Sequence, residues 1–166
     1  EEHFDGEPWR IGDTYNTAIG QYGVQVTPLQ MARATAALAN GGRLLAPILR
    51  DLDGSAASPA GHDLGFRATD LAVVREGMRT AVEYGTAQGL SLPGASVAAK
   101  TGTAQLGVAK DRVNSWVLGF APFEHPRFAF TVLMESGPVH NTVGGVFVMR
   151  QVLEWMLSNR PEYFER

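Results

Sequence analysis

The sequence contains no cysteine, which removes both a disulfide framework and a thiolate nucleophile from consideration. The redox compartment stays open, because exported bacterial domains also do without cysteine. Long apolar runs are missing too. No stretch of about 20 apolar residues crosses a bilayer, and no charged segment followed by an apolar one opens the chain. The first residue is Glu1, so the chain reads as a processed product or an excised piece, and a signal or anchor can lie upstream. An excess of positive charge is likewise absent. The formal net charge is −3, with Lys and Arg scattered along the chain, and no basic face attracts phosphates, so nucleic acid is not an expected partner. The histidines, His3, His62, His125 and His140, show no metal-ligand spacing and read as loop residues. No metal and no cofactor are expected.

What remains is enough for one domain. A chain of 166 residues, 45% of them hydrophobic, buries roughly two thirds of its unfolded surface. In VTPLQMARATAALANGG, Thr27 is placed to cap a helix, Pro28 suits its first position and Gln30 completes a capping box. Gly41 then ends it, which predicts a helix over 28–40. Its alanines, Ala32, Ala34, Ala36, Ala37 and Ala39, surround the wheel and suit close packing on more than one side. RLLAPILRD reads as a short strand or extended segment, and DGSAASPAGHD as a loop. A second helix is predicted over 70–84, capped by Thr69 and ended by Gly85, with Leu71, Val74, Met78, Ala81 and Val82 on its core face.

The pattern then changes to strand spacing. SVAAKTGTA, VNSWVLGFAP and RFAFTVLMES predict strands over 96–105, 113–121 and 127–135, and the short APFEHP connection makes the last two antiparallel. Apolar residues on both faces of the third strand call for helices on both sides of the sheet. A glycine-rich turn leads to a last helix over 146–157, where Phe147, Val148, Gln151, Val152, Trp155 and Met156 mark an apolar stripe. Trp116 and Trp155 are assigned to packing, with Trp155 facing the sheet. The fold class is α+β, an antiparallel sheet of at least three strands covered by helices.

Lys100 stands at the centre of the first of these strands. An ammonium on a strand is costly to bury but useful in a cleft, where it draws in a carboxylate. By alternation Thr101 and Thr103 share one face and Lys100 and Gly102 the other. Gly102 has no side chain, so a ligand can approach the strand closely. The combination suits a strand that holds a peptide by its main chain and terminal carboxylate, and a backbone N–H of the same strand can stabilise an oxyanion. K-T-G alone is also an ordinary strand end. A phosphate loop fails on context: GASVAAKT has Ala99 where the second glycine is required, and GTAQLG breaks the helix that must follow.

KTGTAQ resembles the third motif of penicillin-binding proteins and β-lactamases. GDTYNTAIGQYGVQVTPLQMARATAALANGG resembles the segment preceding that strand in class B penicillin-binding proteins of the elongation type. SWVLGFAPFEHPRFAFTVLME and VMRQVLEWML resemble the strand pair and final helix that follow. The resemblance runs from about Trp9 to Leu157, departing at GQYG, where the family has G-Q-G. It implies a serine D,D-transpeptidase of the cell envelope that cross-links peptidoglycan stem peptides through an acyl-enzyme and is the target of β-lactams. It further implies the cell-elongation machinery as partner, a membrane anchor upstream, and a site on the extracytoplasmic face of the inner membrane. On this carry-over Lys100 serves the cleft's electrostatics and proton network, and Thr101 and Thr103 offer hydroxyls to the substrate carboxylate. The Thr103 N–H forms half of the oxyanion hole, and Gly102 keeps the strand open.

None of Ser55, Ser58, Ser91, Ser96, Ser115, Ser136 and Ser158 has a lysine three residues later, and no S-x-N occurs. Both motifs precede the KTG strand in the family. Residues 1–166 therefore read as the C-terminal portion of a single transpeptidase domain. A β-lactam sensor or non-catalytic penicillin-binding relative is the alternative, and an interaction domain with an accidental K-T-G is the third.

Overall fold

The computed structural model describes residues 8–21, 23–48, 60–107, 109–140 and 143–165. A short helix α1, Ile11–Ala18, opens the described chain. Sequence reading did not find it, and its length explains why: two turns are too few for a periodic signal. Helix α2, Pro28–Ala39, starts with the expected capping box. Thr27 Oγ1 accepts from the Gln30 N–H at 3.2 Å, and the Thr27 N–H donates to Gln30 Oε1 at 2.8 Å. Gly41, at φ +86°, turns the chain out of the helix as only glycine does without strain. Of the helix's alanines, Ala37 and Ala39 are buried and Ala34 is exposed, so the packing is one-sided at that position.

Strand β1, Arg43–Leu45, pairs antiparallel with β2, Gly61–Asp63. The second of these corrects the loop expected over DGSAASPAGHD at its C-terminal end, since pairing with Leu45 and Leu44 extends Gly61 and His62. The rest of that loop, up to residue 59, lies outside the described residues. Helix α3, Ala68–Glu83, begins two residues before the expected start. Thr69 is therefore inside the first turn and is not the cap. Arg67 occupies the N-cap, and its guanidinium grips Asp70 at 2.8 and 2.9 Å, placing a carboxylate over the positive end of the helix. Leu71, Met78 and Val82 are buried as expected, whereas Val74 is 46% exposed.

Three strands build the sheet in the order β3-β4-β5, all antiparallel: β3 Ala98–Leu106, β4 Arg112–Ala121 and β5 Phe128–Pro138. Alternation sends Ala99, Val117 and Phe130 into one apolar cluster with Met149 and Leu153. Ala98 and Phe120 go into a second, with Ala39 of α2 and Met78 of α3. The sheet is thus covered on both sides, as the two-faced apolar pattern of the third strand required.

Helix α4, Gly145–Asn159, lies on the first face, but not by the stripe expected of it. Its buried line is Gly145, Met149 and Leu153, whereas Phe147, Val152 and Trp155 are 51%, 42% and 58% exposed. The Trp155 assignment is overturned, while Trp116 is partly covered as expected. The helix is apolar on two sides, so periodicity alone could not choose between them. Gly145 decides the matter, because a Cβ there would meet Val117 N at 3.1 Å and Val117 Cγ1 at 3.2 Å. That close approach turns Met149 and Leu153 inward and leaves the tryptophan outside.

The β4–β5 turn is tied to α3 by a compact polar network. Arg75 donates to the Phe123 carbonyl at 2.7 Å, and Arg79 lies 4.8 Å above the centre of the Phe123 ring. Arg79 also pairs with Glu83 at 2.9 Å and with Glu124 at 3.0 Å. Ser96, just before β3, donates to the second oxygen of Glu124 at 2.6 Å. These contacts fix the entry to β3, and with it the position of Lys100.

Candidate functional site

Among the described residues β3 is an edge strand, with β4 on one side only. The open edge exposes every second residue's N–H and C=O, and two hydrogen bonds identify which residues these are. The Gln21 carboxamide donates to the Thr103 carbonyl at 2.8 Å and accepts from the Gln105 N–H at 3.2 Å. Thr103 and Gln105, and by alternation Thr101, therefore turn their backbone groups away from β4. The Thr103 N–H points out of the sheet with no hydrogen-bond partner among the described residues. Had this strand been one residue out of register, Gly102 and Lys100 would have taken that place.

The side chains divide as the alternation predicts. Thr101 Oγ1 lies 2.6 Å from Thr86 Oγ1, in the segment that follows α3. The Lys100 side chain is exposed, and its ammonium folds back along the strand to donate to the Thr101 carbonyl at 2.6 Å. Lys100 thus carries its charge to the open edge itself. Gly102 lies opposite Trp116 in the register, where a Cβ would come within 3.4 Å of Trp116 Cβ. That space opens into a cavity of about 640 Å³ between β3 and the loop leading from α1 to α2. Its walls include Thr101, Gly102, Thr103, Gln21, Trp116 and Met31. Thr101, Gly102 and Thr103 are brought together at one opening, and Lys100 stands beside it without lining it.

Sequence reading did not find Gln21, Thr86 or Trp116 as part of this arrangement. The positive φ of Gly20 and Gly23 gives the loop the tight path that delivers Gln21 to the strand. A polar residue between glycines was the local signal. Its contact with residues more than eighty positions away had none.

No group of His, Asp or Glu among the described residues is placed to hold a metal ion. No described helix is long and apolar enough to cross a membrane. The arrangement offers a strand edge with an outward N–H, two hydroxyls, an adjacent cation and an open glycine. It can pair with an extended peptide, neutralise its carboxylate and receive a carbonyl oxygen on a backbone donor.

Comparison with known proteins gives the family of the chain. The family model described as the penicillin binding protein transpeptidase domain matches residues 3–149. The peptidoglycan D,D-transpeptidase MrdA of Acinetobacter baumannii is 35% identical over 150 residues, covering 78% of this chain and 22% of the relative. The peptidoglycan D,D-transpeptidase PbpA of Mycobacterium tuberculosis is 31% identical over 157 residues, covering 87% of this chain and 32% of the relative. Among solved structures, the imipenem acyl-enzyme of penicillin-binding protein A from M. tuberculosis superposes with a TM-score of 0.70 at 31% identity. That match covers 86% of this chain and 33% of the other. The chain spans about a third or less of the length of these relatives.

Proposed function

Because the chain belongs to the penicillin-binding protein transpeptidase family, we propose that it is the C-terminal portion, residues 1–166, of the transpeptidase domain of a peptidoglycan D,D-transpeptidase. The observation that carries this reading is the open edge of β3, with the Thr103 N–H turned outward beside the Lys100 ammonium. Homologues named as D,D-transpeptidases and a relative captured as an imipenem acyl-enzyme support it.

In the proposed reaction a serine outside this chain attacks the carbonyl of a stem peptide ending in D-Ala-D-Ala. A bond forms from the serine oxygen to that carbon, and the amide bond to the last alanine breaks. The serine's proton passes through a neighbouring base to the departing amine. An acceptor amine then attacks the ester carbon, its new amide bond replacing the bond to the serine oxygen, which takes back a proton through the same base. This chain's residues bind and orient. Lys100 attracts the terminal carboxylate and supports the proton network, and Thr101 and Thr103 offer it hydroxyls. The Thr103 N–H donates to the carbonyl oxygen as negative charge develops there, and Gly102 leaves room for the acyl group. β-Lactams, which carry a carboxylate and a strained amide in the same relation, occupy the same edge. The reading extends to an anchored enzyme on the extracytoplasmic face of the inner membrane, acting with the cell-elongation machinery.

A lysine one helical turn beyond a serine is what makes that serine nucleophilic, and no serine of this chain has one. The isolated 166-residue protein is therefore expected to give no covalent adduct with a fluorescent penicillin, whereas the longer protein carrying S-x-x-K gives a stoichiometric one by intact-mass spectrometry. A penicilloyl adduct on the isolated chain would overturn the assignment of the nucleophile. A longer protein that acylates but never cross-links stem peptides would favour a β-lactam sensor.

A further inference from the structure

The contact between Gln21 and β3 is bidentate and reaches backbone groups that flank Ala104. It holds the Thr103 carbonyl and the Gln105 N–H, and among the described residues no other group on that edge. The Thr101 carbonyl is taken by Lys100. The Thr103 N–H is thus the last open donor on the strand before the Gln21 carboxamide closes the edge.

The direction of a bound peptide follows from these positions, given the transpeptidase reading above, on which the inference rests. A terminal carboxylate drawn to Lys100 and a scissile carbonyl on the Thr103 N–H set the peptide antiparallel to β3, with its upstream residues running toward Gln105. In an antiparallel pair, two facing residues exchange both N–H and C=O. The residue that donates the acyl group therefore directs its own N–H to the Thr103 carbonyl, whose second lone pair Gln21 leaves free. A slip of two residues would need the Gln105 N–H, which Gln21 already occupies.

We propose that Gln21 is a positioning residue for acyl transfer, a clamp that fixes the strand beyond Thr103 and ends the edge available to the acyl donor in the productive register. The clamp acts through β3 and not on the reacting atoms. Its loss leaves the first encounter with a β-lactam intact and misplaces the carbonyl relative to the Thr103 N–H.

The test uses the full-length protein with Gln21→Met, which keeps the side chain's size and removes both hydrogen bonds. A second variant, Gln21→Glu, keeps the acceptor for the Gln105 N–H but sets a carboxylate oxygen against the Thr103 carbonyl. Acylation by benzylpenicillin is resolved into the dissociation constant of the initial complex and the first-order rate of acylation. Loss of one or two net hydrogen bonds predicts an acylation rate about tenfold lower in both variants, with a dissociation constant unchanged or tighter. In Gln21→Met hydrogen exchange should quicken at Gln105, where the acceptor is lost, while in both variants the β3–β4 amides stay protected, showing that the fold is intact. An unchanged acylation rate, a loss confined to the dissociation constant, or loss of β3–β4 protection would each overturn the proposal. A parent protein that benzylpenicillin does not acylate overturns the transpeptidase reading and Gln21's role with it. A reactive parent with unaffected variants overturns Gln21's role alone.

Discussion

The Lys100 ammonium donates to the carbonyl of Thr101, the next residue along the same strand, at 2.6 Å. A side chain that leaves the sheet face and folds back to the strand edge puts its charge beside the outward backbone groups, where the proposed reading brings in a carboxylate. The contact is exposed, so it adds little to folding, and the ammonium is free to exchange it for a ligand.

Lys100→Ala in the full-length protein should therefore separate chemistry from stability. Acylation by a penicillin is expected to slow by about tenfold or more, because the anion loses its nearest cation and the serine network loses a charge. The melting temperature is expected to move by no more than about 2 °C, as for an exposed side chain outside the core. Stopped-flow acylation and a thermal melt on the same preparation check both, and equal acylation rates would sink the role given to Lys100.

Thr103→Val tests the hydroxyl without disturbing the backbone N–H. The side chain is exposed and the substitution conserves its shape, so the fold should be unaffected. The expected result is weaker recognition of the carboxylate, a loss of about 1.5–3 kcal/mol for one hydrogen bond to a charged group. It should appear against a carboxylate-bearing β-lactam and vanish against its methyl ester. A loss of equal size for both compounds would point to the strand's geometry instead.

Much of this arrangement was legible in the sequence, and the reasons differ by element. The capping box of Thr27 and Gln30 is a local signal, so α2 was found nearly to the residue. Alternation and a short turn fixed three antiparallel strands and put Thr101 and Thr103 on the face opposite Lys100. The expectation that Lys100 draws in a carboxylate came from its place on a strand, whereas its expected part in a proton network came from resemblance alone. The face of α4 was misread because both of its sides are apolar, and only the close approach at Gly145 chooses between them. Thr69 lost its cap to an ion pair between Arg67 and Asp70, which propensity does not weigh. Gln21 was invisible because its partners are distant in the chain.

Gly119 lies opposite Ala99 in the β3–β4 register and shows how tightly the site's strand is packed from behind. A Cβ there would collide with the Ala98 carbonyl oxygen and come within 2.6 Å of Phe130 Cζ. Neither can yield easily, since one is backbone of β3 and the other is a buried ring. Gly119→Ala is expected to cost about 1–3 kcal/mol of stability, the usual range for overpacking, and to shift β3. Denaturant unfolding measures the first. Slower acylation, out of proportion to the folded fraction, reports the second, and an unchanged midpoint would contradict the packing described here.

Glu124 gives the fold a pH dependence whose sign can be worked out. The Ser96 hydroxyl, its own backbone N–H and the Arg79 guanidinium all favour the carboxylate, and together they outweigh partial burial and hold its pKa below the ordinary glutamate value. The unfolded chain then binds the proton more readily than the folded one. The stabilisation is fully present above the unfolded value, about 4.3, and is lost as pH falls through the lower folded value. Glu124 is about half exposed, so solvent screening keeps the effect small. Glu124→Gln should melt lower than the parent at pH 7, with the gap closing under more acidic conditions. Ser96→Ala, which removes the largest of the three favourable contacts, should narrow the acid dependence in the same direction. Parallel melting curves for parent and Glu124→Gln across the acid range, with no convergence, would show that the carboxylate contributes no pH-linked stability.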